Sequence, residues 1–289
     1  MNEPHKQVDF RPKVLVLGPG GIKGFLELGA LYTLEQYHIL DNVETFVGVS
    51  VGAIIGLLLV VGYDIVEIIA EAADVNIFED ISAVRFQDMR DNVGLISSAP
   101  VKRKLIRSVE NKLGYVPTLQ GLYALTGKKL VCVTVNLDRE QTEFMSCDTE
   151  PDMSCVDAVM FSMNIPIIFY KLKYQGCVYV DGALGNPFPV NEYDDGETDI
   201  LGIYIDSTRR TEGEPMDATT TLYLNKIIHI TMSSLRYYII RGCSRKVKCL
   251  RLESNIIDST GLSIDAELKA NMIVSGYKSA LNFVNVKLQ

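Results

Sequence analysis

The chain has 289 residues, of which 47% are hydrophobic and 22% charged, with a formal charge of −8. That length supports one large domain or two modest ones, and the composition excludes a disordered or low-complexity chain. Net acidity argues against a nucleic-acid partner.

The start, MNEPHKQVDFRPK, has no apolar signal core, and the most apolar run, AIIGLLLVV at 53–61, is too short to cross a bilayer. The expectation is a cytoplasmic protein with no more than peripheral membrane contact. Six cysteines at 132, 147, 155, 177, 243 and 249 form no CxxC pair. This usage fits reduced thiols better than a disulfide framework or zinc site, and Cys132 and Cys177 read as buried strand positions.

Residues 1–12 are a polar leader ending in Pro12. KVLVLG at 13–18 is a buried strand stopped by proline and glycines. Phe25, Leu28, Leu31 and Leu34 recur at helical spacing, which predicts a helix over about 22–37. TFVGVS at 45–50 is a second strand, and the uncharged VGAIIGLLLVVGY after it a nearly all-buried helix. A β-loop-α-β unit feeding a further helix is the grammar of a parallel sheet covered on both faces.

From Asp64 to about Leu125 the chain is more polar and helical, with Ser98 or Ser97 capping a helix started by Pro100. KKLVCVTVNLD at 128–138 and TEFMSC at 142–147 read as strands joined by a turn at 138–141. VDAVMFSMNIPIIF is a helix that Pro166 must end or bend. GCVYVDG at 176–182 and TDILGIYID at 198–206 are further strands, and 207–218 reads as an exposed loop. The remainder, 219–289, is mainly helical with a short strand at VKCLRL. Two basic groups, VKRKLIR at 101–107 and IRGCSRKVKCLR at 240–251, fit a phosphate-bearing surface, though such groups are more often ordinary solvated faces. The chain divides into the leader, a core over 13–206 and an extension over 207–289 packed on the same domain.

GVSVG at 48–52 fits the G-x-S-x-G nucleophile elbow. A serine on a sharp strand-to-helix turn needs small neighbours, here Gly48 and Gly52, so that the two backbones can pass. The helix behind it supplies free amides and positive potential for an oxyanion. The bland alternative is a serine that merely caps a core helix. GPGGIKG at 18–24 also joins a strand to a helix. It lacks the lysine-serine ending of a phosphate loop and is one residue off the dinucleotide fingerprint. What it offers is exposed N–H groups beside a helix start.

Two residues compete for the base. His229 has the chain order of a Ser–Asp–His triad with Asp181 or Asp206, but lies in an apolar helical pattern. Asp181 ends a strand before Gly182, where it can turn toward a neighbouring site and act directly if held close in a dry pocket.

GPGGIKG, GVSVG and DGALGNPFPV, in this order, together with FSMNIPIIF, resemble the patatin-like phospholipase family over roughly 13–206. The resemblance implies a three-layer α/β/α sandwich with a mostly parallel central sheet. It also implies a Ser50–Asp181 dyad and an oxyanion hole from the amides of Gly20, Gly21 and Ile22. Gly18, Gly24, Gly48, Gly52 and Gly182 support the elbow and loop. Pro19 stands where the family's glycine triplet has a glycine, which removes one backbone donor. Lys23 either holds a lipid phosphate or is solvated at its helix start. Met160, Phe161, Met163 and Ile165 either line an acyl channel or are ordinary core. The implied substrate is a phospholipid or other acyl lipid met at a membrane or micelle surface, with no cofactor and no metal. A non-lipid serine acyl hydrolase or acyltransferase using His229, and a catalytically silent lipid-binding module, are the alternatives.

Overall fold

The computed structural model describes residues 10–73, 93–207, 220–254 and 265–288. Most of the leader and the predicted loop after Ser207 lie outside these residues. β1 (Val14–Leu17), α1 (Gly24–Gln36), β2 (Thr45–Val49) and α2 (Val51–Val61) follow in the expected order. α3 (Ile65–Ala73), β3 (Gly94–Ile96), α4 (Ala99–Leu113) and α5 (Leu119–Thr126) lead to the hairpin β4 (Lys129–Asn136) and β5 (Gln141–Met145). Then come α6 (Cys155–Ser162), three short strands β6 (Ile167–Phe169), β7 (Leu172–Tyr174) and β8 (Cys177–Asp181), and β9 (Ile200–Ser207). α7 (Thr220–Gly242), β10 (Val247–Ser254) and α8 (Ala266–Lys287) complete the described chain.

The main sheet runs β10-β9-β1-β2-β4-β8-β7, with β5 on β4. The five strands from β10 to β4 are mutually parallel; β5 and β8 run antiparallel to β4, and β7, antiparallel to β8, runs with the five. Strand alternation divides the interior in two. Leu15, Leu17, Phe46, Leu130, Cys132, Leu201 and Ile203 face the larger core, built with α1, α2, α6 and α8. Val14, Val16, Val47, Val49, Val131 and Val133 face a smaller one, closed by Phe188, Val190 and the inner side of α7. The result is the three-layer α/β/α sandwich with a mostly parallel sheet.

Several local expectations shift. α6 stops at Ser162, four residues before Pro166, and the IIF that follows is a short strand paired with β3. Ser98 occupies the N-cap of α4 without a side-chain bond, and Ser97 Oγ instead accepts from the Ala99 amide at 3.2 Å. The strand expected at VKCLRL is the eight-residue β10, paired along its whole length with β9. All six cysteines are free thiols, but Cys177 is only partly buried.

α8 crosses α1 at a glycine contact. A Cβ on Gly276 would stand 1.9 Å from the Leu26 carbonyl oxygen, and one on Gly29 2.0 Å from that of Ile273. The Thr33 hydroxyl donates across the crossing to the Tyr277 carbonyl at 3.2 Å. The final helix thus clamps the helix that carries the glycine loop.

Candidate active site

Strand order reverses at β1, where α/β sheets open a crevice at their carboxyl edge. The glycine loop leaves β1 there, and the elbow leaves β2 beside it, since Leu17 pairs with Gly48. Ser50 has φ 58° and ψ −122°, a conformation that costs a non-glycine residue roughly 1–3 kcal/mol. It persists because its surroundings leave no alternative. A Cβ on Gly48 would lie 2.3 Å from the Ala53 Cα, and one on Gly52 2.4 Å from the Leu17 carbonyl oxygen. Both neighbours are backbone and cannot yield. The elbow is a tight strand–helix crossing with one buried hydroxyl at its apex.

Register brings Asp181 to the same point. β4 pairs with β5 over Cys132–Asn136, so that edge of β4 is occupied. On its other edge β2 runs up to Val49, opposite Val133, and β8 runs in the reverse sense down to Asp181, opposite Thr134. The two strands therefore meet end to end along one edge of β4. Ser50 leaves one strand end, and Asp181 closes the other. The Thr134 hydroxyl fixes the level by donating to the Val180 carbonyl at 2.8 Å. Past Asp181 the chain must pass directly over β4, since a Cβ on Gly182 would sit 2.2 Å from the Val133 carbonyl oxygen.

Asp181 is buried, and this desolvation pushes its carboxyl pKa up to about 6. The Ser50 side-chain hydrogen bond and the Ala183 amide, which donates to Oδ1 at 2.9 Å, pull the other way. The segment after α6 holds both residues by their backbones. The Ser50 amide donates to Ser162 Oγ at 3.2 Å, and the Asp181 amide donates to the Asn164 carbonyl at 2.9 Å. Asn164 is itself held by its Nδ2, which donates to the Tyr179 carbonyl at 2.8 Å. Ser162, Asn164 and Thr134 were not singled out from the sequence. The only signal was that two of them lie in FSMNIPIIF, whose resemblance to a family segment said nothing of their contacts.

Gly21, Ile22 and Lys23 form a single 3₁₀ turn after the glycine loop. The Lys23 amide bonds back to the Gly20 carbonyl at 3.0 Å, whereas the amides of Gly20, Gly21 and Ile22 find no acceptor among the described residues. Gly18 lies against β9 at Ile203 and Tyr204, Gly20 against Ile205, and Gly24 against Val51, the residue after Ser50. The loop and the elbow are thus in contact. Lys23 is buried, which sets aside the alternative of a solvated side chain at the helix start.

A cavity of about 290 Å³ opens from this junction between α1, α2, α3 and α4. Gly21, Ile22 and Val51 form its near end, and Leu28, Ile55, Leu58, Ile68 and Leu105 its apolar walls. Glu71, Lys104 and Ser108 stand at its far end, where Ser108 Oγ donates to Glu71 Oε2 at 3.2 Å. Met160, Phe161, Met163 and Ile165 do not line this cavity; the first three are buried in the main core and the fourth packs against it. The alternative of an acyl channel there is set aside in favour of ordinary core. His229 lies on α7, with no hydrogen bond to Ser50 or Asp181 among the described residues. Desolvation, then Lys23 and Arg236, lower its pKa. Among the described residues, no cluster of His, Cys, Asp or Glu could hold a metal ion.

A buried serine on a strained strand–helix elbow, a buried carboxyl hydrogen-bonded to it and a loop of amides without acceptors among the described residues come together at one point of the α/β/α fold. The patatin-like phospholipase family model matches residues 15–193, and the chain belongs to that family. Over 214 residues it is 30% identical to a probable lipid hydrolase, 463L, of invertebrate iridescent virus 6, covering 73% of this chain and 70% of that protein. It is 26% identical to the uncharacterized protein R571 of Acanthamoeba polyphaga mimivirus, covering 96% of this chain and 95% of that one. Among solved structures, VipD from Legionella pneumophila superposes with a TM-score of 0.62 at 17% identity, covering 95% of this chain and 67% of VipD. The type III effector ExoU superposes with a TM-score of 0.53 at 15% identity, and this chain spans about half of it, 53%. At such identities these two structures speak for the fold alone.

Proposed function

We propose that this chain is a phospholipase A-type acyl hydrolase acting through Ser50 and Asp181. The observation that carries this reading is the end-to-end meeting of β2 and β8, which sets a buried carboxylate against the elbow hydroxyl beside the glycine loop.

The reaction follows from those positions. The Asp181 carboxylate takes the Ser50 proton as Oγ attacks the ester carbonyl, whose oxygen becomes an anion facing the amides of Gly20, Gly21 and Ile22. The N-terminus of α2 adds positive potential at the same point. The intermediate collapses as the leaving alcohol oxygen takes the proton from Asp181, and an acyl-serine remains. Water then gives its proton to Asp181 and attacks the acyl carbonyl; Ser50 recovers the proton on release of the fatty acid. A carboxyl near 6 is ionised at neutral pH, yet basic enough to share the serine proton. The cavity that begins at Gly21, Ile22 and Val51 supports a long acyl chain, because its walls are apolar and its near end touches the elbow. The histidine alternative draws no support from contacts, since His229 is bonded to neither partner.

The test is labelling with a fluorophosphonate probe, followed by mass spectrometry of the modified residue. Modification at Ser50, absent in Ser50→Ala and strongly slowed in Asp181→Asn but not in His229→Ala, is the expected result. Labelling at another serine, or loss of reaction in His229→Ala, overturns the assignment.

A further inference from the structure

The family match ends at residue 193 and leaves α7 without an assigned role. The inner side of this helix is accounted for, because Met232, Ile239 and Ile240 pack on the smaller core. Its outer side is apolar as well. Ile227 is 45% exposed, Ile230 60%, Tyr237 54% and Tyr238 70%, and Leu235 joins them. A helix apolar on both sides is normally covered on both sides.

The charge pattern indicates what covers it. From residue 218 to residue 252 there is no aspartate or glutamate, but there are seven lysines and arginines, in a chain whose net charge is −8. Arg236 is committed to Asp206 at 2.8 Å, Lys246 pairs with Asp199, and Arg251 reaches Asp206 and Glu253. Arg241 and Arg245 make no ion pair among the described residues. Arg241 lies over the ring of Tyr237 and donates to its hydroxyl at 3.0 Å, grouping cation and aromatic at the end of the apolar stripe.

We infer that the outer face of α7 docks on lipid bilayers that carry anionic headgroups. Exposed isoleucines and tyrosines beside unpaired cations are the composition of a helix lying in a membrane interface. The helix is not long and apolar enough to cross the bilayer. Its position suits delivery of a lipid ester, since it packs on the turns at 182–184 and 189–193 that follow Asp181, and His229 feels the charge of Lys23. A second copy of this chain is a poor occupant. A twofold dimer through this face would bury Arg241 and Arg245 of both copies in an interface to which α7 brings no carboxylate. The inference extends the lipid-ester reading to how substrate is reached, and rests on it only for that purpose.

The test is sedimentation of the whole protein with phosphatidylcholine vesicles, with and without about a third phosphatidylserine, at low and high salt. Expected is binding to the anionic vesicles that salt weakens. Arg241→Gln with Arg245→Gln should weaken it about 25-fold, at roughly fivefold per cation. Ile230→Ser with Tyr238→Ser should weaken it by at least about tenfold. Turnover of a water-soluble short-chain ester should be unchanged in both variants, which also shows that they are folded. Vesicle binding unaffected by either pair overturns the inference. So does a dimer in light scattering that Ile230→Ser with Tyr238→Ser dissolves, or a protein ligand that competes vesicles off only in wild type. Failure of the wild-type protein to cleave the soluble ester would instead fall on the Ser50–Asp181 reading, because vesicle binding is measured without turnover.

Discussion

Ser162 Oγ accepts the backbone amide hydrogen of Ser50, so the end of α6, which packs beside α2 in the larger core, holds the elbow by its backbone. In Ser162→Ala this buried amide loses its acceptor, a loss that costs about 1–3 kcal/mol. Thermal unfolding should reveal a destabilisation of that order. Turnover should fall by about tenfold or more as the serine loses its alignment. A variant with wild-type turnover and melting temperature would show that the bond is incidental.

Asp181 carries a pH signature with a definite sign. Its folded pKa, about 6, lies above the unfolded value near 3.9. The folded state therefore holds the proton more tightly, and its contribution to stability is complete below pH ~4 and lost as pH rises through about 6. Asp181→Asn, which keeps an acceptor for the Ala183 amide, should be nearly silent at pH 4. Above pH 7 it should be more stable than wild type by up to about 3 kcal/mol. Denaturant titrations across this range measure the gap. Activity moves oppositely in the wild type, with kcat/KM rising through about pH 6 as the base ionises. A stability gap independent of pH would contradict the buried, raised carboxyl.

Gly276 and Gly29 make the contact between α8 and α1 backbone to backbone. Gly276→Ala places a methyl carbon where the Leu26 carbonyl stands, so the helices must part, at a cost of about 1–3 kcal/mol. Because α1 begins at the glycine loop, probe labelling of Ser50 should slow as well, despite the distance in sequence. Unaltered labelling would separate the crossing from the site.

Ile68 and Leu105 form walls of the apolar cavity away from the elbow. Ile68→Trp should shorten the acyl chain that is accepted, leaving short-chain esters at wild-type rates while long-chain esters lose about tenfold or more in kcat/KM. A uniform loss across chain lengths would mean that the acyl group lies elsewhere.

The parts of the site legible in the sequence are those that one short segment determines. GVSVG announces a strand–helix crossing because Gly48 and Gly52 are needed within the turn itself, and the chain after Asp181 shows its constraint in Gly182. The end-to-end meeting of β2 and β8 is not written in either strand. It depends on which residues of β4 each one selects, a register decided by the whole sheet. The cavity was missed for a related reason, since α1, α2, α3 and α4 each look like ordinary core helices until packed together. β3, β6 and β7, three residues apiece, were too short to leave a periodic pattern.

Because β2 and β8 occupy the same edge of β4, the separation of Ser50 and Asp181 is counted in whole residues. A strand advances about 3.4 Å per residue, so sliding β8 by one position would carry the carboxylate out of reach, and its side chain would turn to the other face. Between these two registers of β8 there is no intermediate pairing. A mutation that shifts the register of β8 on β4 should therefore abolish the pair outright, and a chain populating both registers would divide into active and inactive molecules.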